Sequence, residues 1–184
     1  YLEFAIANQF YMIVEKQGFD FYKILNAMKD DYPRAKHFAR AGLAAGPCLF
    51  KDTMQLSAFH SNEFFLGHSA MLVNEGLPNF LVQQLEARMG CLKGRKIGIL
   101  GLAFKPDNDD IRESLSFKVK KLLELKMAQV LLADHYVAGT LAPAELMRQA
   151  EGIILGVPHA DYHAMVPACP YVDCWGVWPR EPSC

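Results

Sequence analysis

The chain has 184 residues, 52% hydrophobic and 21% charged, a composition that supports a packed core and excludes global disorder. Nineteen Lys and Arg against twenty Asp and Glu leave a net charge of −1, with no basic run long enough to follow a phosphate backbone, so nucleic acid is not an expected partner. The apolar runs, such as residues 99–104, fall far short of a bilayer span, so no membrane partner is expected. Five cysteines (Cys48, Cys91, Cys169, Cys174 and Cys184) without a signal-peptide pattern argue against a disulfide framework and for a reducing, cytoplasmic setting.

Residues 1–17 read as a helix that is apolar on nearly every side, interrupted mainly by Asn8 and Gln9, and such a helix is expected to be buried all round. It starts without a cap residue or an acidic first turn, so the sequence enters in the middle of a helix and an upstream part is expected. Gly18 ends that helix, Asp20 caps the next over residues 21–30, and Tyr32-Pro33 stops it. Residues 34–50 are loop-like, rich in Gly and Ala. A helical pattern then runs over roughly 60–75 and 79–90, broken at Gly76 with Pro78 at a first-turn position. After Gly90 the texture changes. Strand patterns at 96–102, 128–134, 151–157 and 170–177 alternate with helical patterns at 114–127 and 142–150. This alternation predicts an α/β fold with a parallel sheet covered on both faces. The division falls near residues 91–94, giving a mostly helical part over 1–90 and a sheet domain over 91–184, without an internal repeat.

Two segments can carry chemistry. In Gly46-Pro47-Cys48-Leu49-Phe50-Lys51-Asp52, a thiol stands just before a helix with a cation and a carboxylate within one turn. A thiol attacks as thiolate, which a nearby Lys and a helix N-terminus favour, and Asp52 can position water or relay a proton. By spacing alone, a buried structural cysteine reads as well. The second segment, residues 101–114, follows the first strand, where ligands of open parallel sheets sit. It offers an aromatic face (Phe104), a cation (Lys105) and a guanidinium (Arg112) suited to phosphate oxygens. Gly98 and Gly101 are not followed by a third glycine in a GxGxxG pattern, so a dinucleotide pyrophosphate is not expected in this turn. A solvated acidic loop is the alternative. Cys169 and Cys174 lack a second pair of ligands and predict no zinc site.

The strings GPCLFKDT (46–53), LVNEGLPNFLV (72–82) and GLAFKPDNDDIRES (101–114) occur in that order. Together they resemble the UDP-glucose/GDP-mannose dehydrogenase family, with its Cys-x-x-Lys-Asp loop, its helix with Asn-x-x-x-Pro, and its Phe-Lys…Asp-Asp-x-Arg-x-Ser turn. The resemblance implies a central dimerisation region over 1–90 and a Rossmann-like nucleotide-sugar-binding domain over 91–184. The NAD-binding domain, and a catalytic lysine and asparagine on the central helix, would lie upstream of Tyr1. It implies oxidation of a sugar C6 alcohol to the uronate with NAD, Cys48 forming a thiohemiacetal and then a thioester. Asp52 would assist water and Lys51 would support it. Phe104 and Lys105 would line the UDP-sugar site, Arg112 would reach the NAD phosphates, and Arg34 would cross a homodimer interface, built by the N-terminal helix, to the substrate phosphates. UDP-glucose is favoured, then UDP-N-acetylhexosamine, with GDP-mannose behind. Asn74 is read as structural, capping the break at Gly76, and His159 as a solvated loop histidine. Ala45 and Pro47 depart from the family's glycine-rich loop. The chain by itself is expected not to turn over. A stand-alone nucleotide-binding or dimerisation module with a structural Cys48 is the competing reading.

Overall fold

A computed structural model describes residues 1–180; Cys184 and the end of the sheet domain's expected range lie outside the described residues. The first half is helical, with α1 (Leu2–Lys16), α2 (Phe21–Lys29), a 3₁₀ turn (Pro33–Ala35), α3 (Leu49–Phe59) and α4 (Phe65–Met89). Gly18 takes the left-handed φ of +79° that ends α1. The Asp20 side chain accepts the amides of Tyr22 and Lys23, capping α2.

Three helical expectations are corrected. α4 runs unbroken through Gly76 and Pro78. Pro78 removes one N–H donor, but Leu77, Leu81, Val82 and Leu85 are buried along the same helix, and tertiary burial overrides local propensity. Residues before 65 do not join α4, because α3 occupies 49–59 and the chain turns at Ser61 and Asn62, both at positive φ. α1 is not buried all round: Ala5, Ala7, Asn8 and Tyr11 turn inward, while Ile6, Phe10 and Ile13 are each about half exposed at 51%, 50% and 50%. Packing against α4 covers one side of α1 and leaves an apolar side open. No helix among the described residues is long and apolar enough to cross a membrane.

The second half is a parallel sheet of β1 (Lys96–Leu100), β2 (Gln129–Ala133), β3 (Gly152–Leu155) and β4 (Tyr171–Val172), in the order β2-β1-β3-β4. Helices α5 (Ser116–Leu125) and α6 (Pro143–Gln149) connect its strands. Side-chain alternation explains how both faces are covered. Ile97, Ile99, Ile154 and Val172 enter one core with α4 and α5, and this core also takes in Tyr11, Phe21 and Leu25 of the helical half. Leu100, Ile153, Leu155 and Tyr171 enter a second core with Leu146 of α6, Tyr162 and Trp178. A Cβ on Gly98 would lie 2.7 Å from Leu146, so the missing side chain lets α6 settle on β1.

Strand order fixes where the chemistry-bearing loop goes. β1 is flanked by β2 on one side and β3 on the other, so the topological switch lies beyond the carboxyl ends of β1 and β3. There Gly101, at φ +91°, and Gly156 approach so closely that a Cβ on either would strike the other turn's backbone. The segment after Gly101 is thereby directed out of the sheet.

Candidate active site where two loops meet

The loop leading to Cys48 is held from both halves of the chain. The buried Asn8 side chain accepts the Gly42 amide (2.8 Å) and donates to the Gly42 carbonyl (2.9 Å). It also donates to Asn74 on α4 (3.0 Å), whose own amide reaches the Tyr1 carbonyl (3.2 Å). Asn74 is thus structural but caps no break; it ties α1 to α4. On the other side Arg40 stacks on Tyr22, 4.4 Å from the ring centroid, and donates to the carbonyls of Trp175 and Gly176. Trp175 covers Gly42, leaving no space for a side chain there.

Cys48 is exposed and occupies the N-cap position of α3, its carbonyl accepting the Asp52 amide at 2.8 Å. Its side chain therefore stands at the positive end of an 11-residue helix. Lys51 and Asp52 follow on the first turn with Nζ and Oδ1 3.6 Å apart, both well exposed. The helix positions them as the spacing predicted, with the lysine charge shared with the carboxylate.

The 101–114 segment meets this loop. The Phe104 ring lies 2.9 Å from where a Gly46 Cβ would be, and Gly46 has φ +114°. The Gly46 amide donates to the Glu113 carbonyl at 3.4 Å. The Phe104 amide donates to the Asp110 carbonyl at 2.9 Å, closing the segment on itself. Asp110 then grips Arg112 through Nε (3.0 Å to both oxygens) and Nη2 (2.6 Å). The guanidinium's hydrogen bonds and charge hold the Asp110 carboxyl down at about 2. Asp110 raises Arg112 in turn, first by hydrogen bonding, and the Cys48 side chain lies close enough to Arg112 to add to the effect. Lys105 Nζ lies 5.4 Å from the Phe104 ring centroid. Clefts of about 520 and 470 Å³ adjoin at Gly46, Phe50 and Glu113.

The fold thus brings Cys48, Lys51, Asp52, Phe104, Lys105 and Arg112 into one neighbourhood. Arg34 does not join them by any described contact within the chain; it sits on the 3₁₀ turn with its guanidinium 5.6 Å from the Tyr32 ring centroid. His159 is corrected from solvated to fully buried, hydrogen-bonded to Asp134 and to the Asp107 amide. Its partner Asp134 does not stand out in the sequence. Asp134 follows β2 and His159 follows β3, and only the strand order reveals that these ends flank the turn after β1.

Comparison with known proteins decides the family. Residues 1–75 match the profile of the UDP-glucose/GDP-mannose dehydrogenase family, central domain, and residues 98–180 that of its UDP binding domain. The chain belongs to this family of nucleotide-sugar dehydrogenases. Among curated relatives, it is 30% identical over 134 residues to UDP-N-acetyl-D-mannosamine dehydrogenase of Campylobacter jejuni, covering 72% of this chain and 33% of the relative. It is 31% identical over 134 residues to UDP-glucose 6-dehydrogenase YwqF of Bacillus subtilis, covering 71% and 30% respectively. The solved UDP-glucose dehydrogenase from Pyrobaculum islandicum superposes with a TM-score of 0.83 at 32% identity, over 96% of this chain and 45% of that one. The chain spans less than half the length of these relatives.

Proposed function

We propose that the chain is part of an NAD-dependent nucleotide-sugar 6-dehydrogenase. In this reading it supplies the covalent nucleophile and part of the nucleotide-sugar site, with UDP-glucose the favoured substrate and a UDP-N-acetylhexosamine next. The observation that carries this reading is the contact of the Cys48 loop with the Phe104–Arg112 segment through Gly46, Phe104 and Glu113. Relatives in the family carry both UDP-glucose and UDP-N-acetylmannosamine in their names, which supports a UDP-sugar without choosing the sugar.

Each residue's part follows from its chemistry. Cys48, at a helix N-terminus with Arg112 and Lys51 near, adds as thiolate to the C6 aldehyde and forms a thiohemiacetal, holding the carbon against loss. Asp52, one turn along α3, orients the water that releases the carboxylate and the free Cys48 thiol from the thioester. That thioester would arise from the thiohemiacetal only by loss of a hydride to NAD bound by the rest of the protein. Phe104 and Lys105 receive the nucleotide sugar, the lysine by its charge on a phosphate. NAD does not fit this sheet: the turn after β1 has Gly101 packed against Val157 and no glycine fingerprint. No step through the dinucleotide is therefore assigned to the sheet. Arg112, exposed at the loop's edge, is the residue proposed to face the NAD phosphates, and Arg34 is proposed to act across a homodimer interface. NADH formation by this chain alone at enzyme-like rates would contradict the division of labour.

Thiol reactivity tests the assignment of the nucleophile. With iodoacetamide at neutral pH, Cys48 should alkylate faster than Cys91, which is also exposed. Equal, slow labelling of both would return Cys48 to a structural role.

A further inference from the structure

We propose that His159, acting with Asp134, is a positioning residue that holds the Phe104–Arg112 segment against the Cys48 loop. Its importance for chemistry rests on the function proposed above, but the positioning itself is a separate claim. The side chains of His159 and Asp134 are 1% and 0% exposed. Nδ1 of the ring takes the Asp107 amide at 2.8 Å. An amide N–H is only a donor, so Nδ1 carries the lone pair and Nε2 carries the proton, which it donates to Asp134 Oδ2 at 3.0 Å. The neighbours thus fix one tautomer.

Asp134 extends the same bridge to the beginning of the segment. Oδ2 also accepts the amides of Leu102 (2.6 Å) and Ala103 (3.2 Å), and Oδ1 accepts that of Tyr136 (2.8 Å). Burial alone would raise this carboxyl, yet the hydrogen bonds from His159 and the Leu102 and Tyr136 amides outweigh it and hold the pKa at about 2. One ionised carboxylate and one neutral imidazole therefore anchor the segment at 102, 103 and 107. Asp107 needs this support, because it sits at φ +52°, a left-handed conformation that a non-glycine residue keeps only where its surroundings impose it. Its own carboxylate adds a second tie by accepting the Ala160 amide at 3.0 Å.

From these anchors the segment returns through the Phe104–Asp110 hydrogen bond and the Asp110–Arg112 pair, and Ser114 Oγ closes it on the Ala103 carbonyl at 3.2 Å. The placement of Phe104 on Gly46 and of Arg112 near Cys48 is thus set by a pair belonging to the ends of β2 and β3. His159 has no described contact with the Cys48 loop and acts through Asp107 and Asp134.

The test uses the whole chain. In the wild type, ring ¹⁵N spectra at neutral pH should show His159 protonated at Nε2 with Nδ1 accepting; the opposite tautomer, or a doubly protonated ring, overturns the proposal. In His159→Phe, which keeps bulk but loses both nitrogens, amide exchange at Phe104 and Asp107 should rise by about tenfold, the equivalent of one lost hydrogen bond, while β1 and β3 amides stay protected. His159→Gln, which can both accept and donate, should restore most of that protection. Cys48 alkylation should slow in His159→Phe by the same factor as in Arg112→Ala, with no further loss in the double variant. Unchanged exchange at Phe104 and Asp107 in His159→Phe would overturn the positioning role whatever the reactivity of Cys48. Changed exchange with Cys48 no more reactive than Cys91 would leave positioning intact and refute the nucleophile.

Discussion

Gly46 shows how much of the candidate site depends on a single residue. Its φ of +114° and the Phe104 ring at its Cα leave no room for a side chain, so the loop before the thiol and the segment after β1 interlock there. Six residues of this neighbourhood were readable because each lies in a short string whose chemistry is local: Cys48, Lys51 and Asp52 on one helical turn, and Phe104, Lys105 and Arg112 in one turn after a strand. The pairing of Asp134 with His159, which the sequence offered only as a solvated loop histidine, was not, because it arises from strands far apart in sequence. Asp134 carries a pH prediction. Its folded pKa of about 2 lies below the roughly 3.9 of an unfolded Asp. The stabilisation is therefore present above pH 4 and is lost as pH falls toward 2, to the extent of roughly 2–3 kcal/mol. Glu15 and Asp173, both raised chiefly by burial, act in the opposite direction, so the comparison must be between variants. In urea melts between pH 6 and pH 2.5, the stability advantage of wild type over Asp134→Asn should shrink; a pH-independent difference would contradict the ionised bridge.

At the level of elements, periodicity found α1, α2, α5, α6 and the strands, since each alternates with the period of its own geometry. It failed for α4, where Gly76 and Pro78 mimic a boundary inside a helix held by buried leucines. It did not give the extent of α3: the helix expected after Cys48 runs to Phe59 although its buried residue is Ser57 and its apolar Leu49, Phe50, Leu56 and Phe59 are exposed. The contact between α1, α4 and the Cys48 loop depends on polar groups that a hydrophobic pattern does not report. Asn8→Ala would leave the buried Gly42 amide and carbonyl and the Asn74 oxygen without their partner. The expected loss is about 3 kcal/mol, read from the denaturant midpoint with an unchanged m-value. A loss within experimental error of zero would mean that water or a shifted loop replaces these bonds.

For the molecule as a whole, the α/β architecture was legible because strand and helix patterns alternate after residue 95, and the sheet's two cores then follow from side-chain alternation. Among the described residues, nothing covers the open apolar side of α1. Leu2, Ile6, Phe10 and Leu66 line an apolar groove of about 370 Å³ between α1 and α4. We propose that a second copy covers it. Sedimentation should then show a dimer that Phe10→Asp converts to monomer, whereas a concentration-independent wild-type monomer would refute this. The central claim, that the meeting of the two loops receives a UDP-sugar, is tested most directly by calorimetric titration of the chain with UDP, with GDP as comparison and Lys105→Ala as control. Saturable binding selective for UDP and weakened by the substitution is the predicted result. Absence of binding, or binding indifferent to both the base and Lys105, would contradict it.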